Sequence, residues 1–168
     1  VFGDCKVSYN AESNTLTLNG YSNGEKFYKE AKAGVYEAEY RIAAGVYYAG
    51  AEKLTVALEG NNVLTMPEFS EDKLDNAAFF SKGDIEFTST GSLNATGGNA
   101  SDTSEDSNVG SYGLCAIGEN AAFTGSGAVT FTAGSGESSY GAYFGKETAV
   151  AFSGGTVTMT GGTSTGGS

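Results

Sequence analysis

The 168-residue sequence has no histidine, no tryptophan, one proline and two cysteines. Without histidine, Ser-His-Asp and Cys-His catalysis and every imidazole-ligated metal site are excluded. Nine bases stand against twenty acids, a formal net charge of −11. No basic stripe is present to replace phosphate counterions, so a nucleic-acid partner is excluded. The same acidity repels anionic lipid, and no run approaches the ~20 apolar residues that cross a bilayer; no membrane insertion is expected. Leu, Ile, Val and Phe together supply under a fifth of the chain, a poverty usually associated with disorder.

What is present argues for order. Ten tyrosines and ten phenylalanines accompany 26 glycines, and the apolar residues fall in evenly spaced clusters. Gly45-Val-Tyr-Tyr48, Ala78-Phe-Phe-Ser81, Gly113-Leu-Cys-Ala116 and Gly141-Ala-Tyr-Phe144 are each followed by a polar turn and a short apolar strand. Those strands are Leu54–Leu58, Ile85–Phe87, Ala121–Phe123 and Val150–Phe152, each ending in a glycine-containing corner. A further strand follows at once: Val63–Met66, Leu93–Ala95, Val129–Phe131 and Val157–Met159. The leading positions 45, 78, 113 and 141 are 33, 35 and 28 residues apart, and a partial first copy is visible in Asn14–Gly20.

Each run alternates with period two, as a strand with one buried face requires, and none is long enough to bury a core alone. Stacked coils solve this by sharing a core between neighbours. The expected fold is all-β: a right-handed parallel β-helix, a solenoid of about five coils, forming a single domain over residues 1–168. An antiparallel β-sandwich is the second reading, but it does not explain why one three-strand order recurs.

Two insertions interrupt the pattern. Residues 21–44 read as a cap: Gly24–Gly34 carries helix formers, with Phe27, Tyr28 and Ala31 on one face, so a helical or irregular flap over the open end is expected. Residues 99–111 form an acidic loop. Its plain reading is a solvated connection; its sharper one is a calcium site of Asp102, Glu105 and Asp106, since hard cations take several oxygens. No other cofactor is expected. The chain opens at Val1 without a leader and stops in a Gly-Thr-Ser run, reading as an excised piece truncated at its C-terminal end.

Asp84 and Glu86 flank Ile85 and share an outward face, the one carboxylate pair with a geometry glycosidases use. No base lies opposite them except Lys82, and outward charge serves solubility, so no enzyme is expected. With Val46, Phe79, Leu114 and Ala142 facing the core, Tyr47, Phe80, Cys115 and Tyr143 face outward. Tyr47, Phe80 and Tyr143 are thus the candidate ligand-binding residues, a strip of rings suited to sugar faces or a partner's side chains. The inverted register, with the rings in the core, stands beside this reading, and Cys115 in the row favours it. A further outward row through Thr65, Asn94, Thr130 and Thr158 is similar to the threonine ladders of ice-binding β-helices, though irregular.

Tyr9-Asn-Ala-Glu-Ser-Asn-Thr-Leu-Thr-Leu-Asn-Gly20, Leu54-Thr-Val-Ala-Leu-Glu-Gly-Asn-Asn-Val-Leu64 and Val150-Ala-Phe-Ser-Gly-Gly-Thr-Val-Thr-Met-Thr-Gly-Gly162 resemble β-helix repeat domains on cell-surface proteins of anaerobic Gram-positive gut and rumen bacteria. The resemblance covers most of the chain outside residues 21–44 and the acidic insertion. It implies an extracellular location, on the bacterial surface or secreted, and a carbohydrate-binding or adhesin-like role. Calcium is also found in such domains, and no catalytic residue carries over. The partner expected is a polysaccharide; the alternatives are a host surface glycoprotein or immunoglobulin, or a spacer with no ligand. A monomer is expected.

Cys5 precedes the first coil while Cys115 belongs to the fourth of five. At ~4.8 Å per coil they lie beyond disulfide reach. The intact mass should therefore be the same before and after reduction, with two thiols titrating in the unfolded chain.

Overall fold

Short alternating runs need partners on both edges, and the computed structural model gives each of them one. It describes residues 6–23, 29–32, 41–71, 73–101 and 109–165, and these contain strands, turns and bends but no helix. In chain order the strands are β1 (Val7–Asn10), β2 (Thr15–Asn19), β3 (Lys29–Lys32), β4 (Arg41–Tyr48), β5 (Leu54–Glu59) and β6 (Asn61–Thr65). There follow β7 (Phe69–Ser70), β8 (Leu74–Ser81), β9 (Ile85–Ser89), β10 (Ser92–Thr96), β11 (Ala100–Ser101) and β12 (Gly110–Ala116). The last are β13 (Asn120–Gly125), β14 (Ala128–Thr132), β15 (Ser138–Phe144), β16 (Ala149–Ser153) and β17 (Thr156–Thr160).

Each turn of chain passes through three sheets. Sheet 1 stacks β4, β8, β12 and β15; sheet 2 stacks β5, β9, β13 and β16; sheet 3 stacks β6, β10, β14 and β17. All neighbours within these sets pair in parallel. The result is a parallel β-solenoid of about four turns. The partial first copy adds only β2, parallel to β5, and a bridge from Ser22 to Val63, which is why the count falls short of five.

The N-terminal end is finished by strands of opposite sense: β1 pairs antiparallel with β2, and β3 antiparallel with β4. The helix expected within Gly24–Gly34 is therefore corrected at Lys29–Lys32, which is strand; the neighbouring residues 24–28 and 33–40 lie outside the described residues. Helix propensity is a weak preference, and an open parallel edge offers a ladder of backbone hydrogen bonds that outweighs it.

The repeats align as the sequence suggests. Val46, Phe79, Leu114 and Ala142 stack in sheet 1, and Val56, Phe87, Phe123 and Phe152 in sheet 2. Between the sheets, Phe87 and Phe123 stack at 5.4 Å while Phe79 and Phe131 meet Phe87 edge-on at 5.4 and 5.2 Å. Four buried phenylalanines thus give a core poor in aliphatics its bulk. Sheet 3 carries a second correction. Asn94 stacks on Val63, and Thr65 belongs to a different column with Thr96, Thr132 and Thr160. Matching apolar residue to apolar residue misplaces this strand because Asn62, not Val63, occupies the inward position beside Leu93. Asn62 is buried there, donating to the carbonyls of Glu59 and Ser92 and accepting from the Tyr21 N–H.

The corners are columns of glycine. Between sheets 2 and 3, a methyl group on Gly91 would overlap the Gly60 carbonyl oxygen, and one on Gly127 the Gly91 carbonyl oxygen. At the corner leading back into sheet 1, side chains pin the backbone: Asn76 Nδ2 donates to Pro67 O, Ser111 Oγ donates to Gly98 O and accepts from Gly134 N, and Ser139 Oγ donates to Gly134 O and accepts from Gly162 N. These polar side chains, Asn76 and Ser111 buried and Ser139 half-buried, thereby tie one coil to the next.

Overlap at a corner should register as lost stability. Gly127→Ala is expected to cost about 1–3 kcal/mol in denaturant unfolding, whereas Ser126→Ala, exposed on the same corner, should stay within about 0.5 kcal/mol. Equal small effects would mean that the corners pack loosely.

Candidate ligand-binding site

The strands of sheet 1 do not alternate straight through. Ala78 and Phe79, consecutive in β8, both pack in the main core, while Ala77 and Phe80 on either side both belong to a second apolar cluster on the opposite face. The step occurs at the column Gly45, Ala78, Gly113 and Gly141, where the backbone approaches sheet 3 so closely that a methyl on Gly113 would lie 2.7 Å from Thr132 N. Because of this step, residues three apart share the outer face. Tyr112 joins Cys115, and Tyr140 joins Tyr143.

Val46, Phe79, Leu114 and Ala142 do pack in the main core and Tyr47, Phe80, Cys115 and Tyr143 across from it, but the outer row is not the open strip expected. Phe80 is 2% exposed and so cannot meet a ligand; Tyr47 stacks on it at 5.0 Å, half-buried, and Tyr143 is half-buried too. The rings fill a small second core with Ile42, Ala44, Ala77, Tyr112 and Cys115.

The face opens in the last turn. Tyr140 is 45% exposed and stacks on Tyr112 at 6.0 Å; Tyr143 closes the triangle, 6.0 Å from Tyr112 and 5.9 Å from Tyr140. Strict alternation puts Tyr140 and Tyr143 on opposite faces, which is why the sequence reading missed Tyr140. The glycine at 141, repeated at 45 and 113, was the available signal.

Beside this face runs a groove of about 450 Å³ along the corner between sheets 1 and 2. Gly50, Gly83 and Gly118 form its stacked floor and Lys82, Asp84 and Glu119 its polar rim. It begins two residues after Tyr47 in the first coil, and Lys82 and Ile117 likewise follow Phe80 and Cys115 by two.

Asp84 and Glu86 are each engaged. Asp84 accepts from Asn120 through the side-chain amide at 2.8 Å and the backbone N–H at 2.9 Å, which holds its carboxyl below the usual range. Glu86 takes Lys53 at 2.6 Å. The Asp84 arrangement is not that of a carboxyl kept protonated to act as general acid. Asp102, Glu105 and Asp106, the expected calcium ligands, lie outside the described residues, as does Cys5. Among the described residues no three metal-ligating side chains gather. Cys115 is a free, buried thiol whose pKa is raised by burial and secondarily by Asp75.

Asp75 itself is 6% exposed on the outer face of sheet 1 and accepts the Gly110 N–H at 2.7 Å; burial pushes its pKa up to about 6 despite that bond. No family model, curated protein or solved structure matches the chain.

Asp75 makes stability depend on pH in a defined sense. Between pH ~4 and ~6 the folded carboxyl keeps a proton that the unfolded chain has released, so its contribution is full below pH ~4 and is lost as pH rises through ~6. Asp75→Asn should therefore stabilise the protein by roughly 1–3 kcal/mol at pH 7.5 and bring little gain at pH 4. Denaturation at the two pH values checks it; a loss of stability at pH 7.5 would mean that the charged form is the one the fold favours.

Proposed function

We propose that this chain is a non-catalytic binding module of a bacterial surface protein that contacts polysaccharide through the outer face of sheet 1. The observation carrying this reading is an aromatic pair, exposed Tyr140 with half-buried Tyr143, on the same outer face that the polar corner groove borders. Sugar rings present apolar C–H faces and a rim of hydroxyls. Tyrosine offers a flat apolar surface with a polar tip for the first, and a groove of backbone, Lys82, Asp84 and Glu119 offers partners for the second. A partner protein needs an apolar patch and no such groove.

Charge narrows the ligand. The chain carries −11 and the groove rim two acids against one base, so uronate-rich or sialylated glycans meet repulsion and a neutral polysaccharide is the better fit. No helix of the described residues is long and apolar enough to cross a membrane.

A glycan array followed by calorimetry tests the reading. Neutral plant or mucin oligosaccharides should bind, and Tyr140→Ala and Tyr143→Ala should each weaken that binding by on the order of 1–3 kcal/mol. Tyr140→Ala should barely move the melting temperature, since nearly half of its side chain is already in solvent. No glycan bound, with a host glycoprotein retained in a pull-down, would replace the glycan reading by the adhesin one.

A further inference from the structure

We propose that the outer face of sheet 3 binds ice, a function separate from that of the aromatic face of sheet 1. Strands β6, β10, β14 and β17 pair five residues on five without a bulge. Each presents three side chains outward, between inward ones that close the core. The columns so formed are regular from coil to coil. Thr65, Thr96, Thr132 and Thr160 make an unbroken threonine column, and Val63, Asn94, Thr130 and Thr158 make the next. Seven of the twelve outward residues are threonine, and none is charged, in a chain of twenty acids and nine bases. The outer face of sheet 2, by contrast, carries Glu86 paired with Lys53. At the middle of the face, β10 and β14 are paired on both edges.

What such a face binds follows from its hydroxyls and its spacing. Elsewhere serine hydroxyls are engaged inside the fold: Ser89, Ser111 and Ser139 each donate to a glycine carbonyl. The hydroxyls of Thr65, Thr96, Thr130 and Thr132 have no such partner among the described residues, so each is open to a ligand. Their positions repeat at about 4.8 Å from strand to strand and about 6.6 Å between successive outward residues of one strand. Oxygens on a prism face of hexagonal ice repeat in two perpendicular directions at distances close to these. Threonine is restricted at χ1, so a column of it holds methyl and hydroxyl groups in few orientations, and water ordered on it gives up little further freedom. A charged group would keep its own hydration shell against the crystal, and this face has none. Other occupants fit less well. No aromatic ring stands among the outward residues to meet a sugar. Val63 is the one large apolar side chain there, too little for a protein partner.

Growth of a seeded ice crystal in a solution of the intact chain tests the proposal. Facets should appear, and growth should stop over an interval below the melting point. Thr132→Lys puts a charge inside the threonine column, and Asn94→Lys puts one at an exposed position of the neighbouring column. Both should lose the growth-free interval, with circular dichroism and melting verifying that the fold is intact. Ala122→Lys, outward on sheet 2 in the same coil as Thr132, should keep it. A wild-type chain in which the crystal stays rounded and grows at once below the melting point overturns the proposal. So does a full wild-type interval in either folded lysine variant of sheet 3. Neutral-glycan binding without any effect on ice would leave the proposed function standing and remove only this one; an effect on ice with no glycan bound would do the reverse.

Discussion

Everything in this molecule depends on how closely one coil's backbone can approach the next. Parallel strands lie ~4.8 Å apart only if the turns between them do as well, and a corner carrying a side chain on its inner side cannot close to that distance. Gly60, Gly91, Gly127 and Gly155 form one such corner, and Gly50, Gly83 and Gly118 another; at Gly91, Gly127 and Gly155, and at Gly83 and Gly118, a methyl would overlap the backbone of the coil before it. The abundant glycine, 26 residues of the chain, is thus what permits the order. Once the corners close, the phenylalanines of successive coils stack, and few large side chains suffice.

How much of this was legible in the sequence follows the same physics. The order of strand and glycine corner repeats because every coil meets the same steric demand, so the solenoid and the stacking of Val46, Phe79, Leu114 and Ala142 can be read directly. The reading failed where tertiary context decides. Lys29–Lys32 sits among helix formers yet becomes a strand because β4 offers an edge. Thr65 went to the wrong column because a buried asparagine, satisfied by Glu59 and Ser92, stands where an apolar residue was sought. Tyr140 escaped because alternation shifts at Gly141, and a shift of one residue turns every later side chain over.

The outer face of sheet 1 shows how a site is carved out of a fold that offers few. A solenoid face is ordinarily polar and flat; here Phe80, Cys115 and Tyr112 are buried on it as a second core. That layer fixes the rings of the third coil and leaves those of the fourth accessible. Tyr112 is the hinge between the two roles, since it is buried itself and forms the stack on which Tyr140 rests.

The closed N-terminal end and the parallel order of coils also imply a direction in time. Each strand's partner arrives about thirty residues later in the chain, as Leu54 with Ile85 and Ala121 with Val150. A growing chain therefore completes one coil, and that coil serves as the template on which the next is laid down. Contacts stay local from coil to coil, which favours rapid propagation after a slow first turn. The hairpin of β1 with β2 joins neighbouring residues and presents β2 as a parallel partner to β5 of the first coil. Synthesis and folding then proceed the same way along the axis, and the most recently folded coil is always the one with its core open.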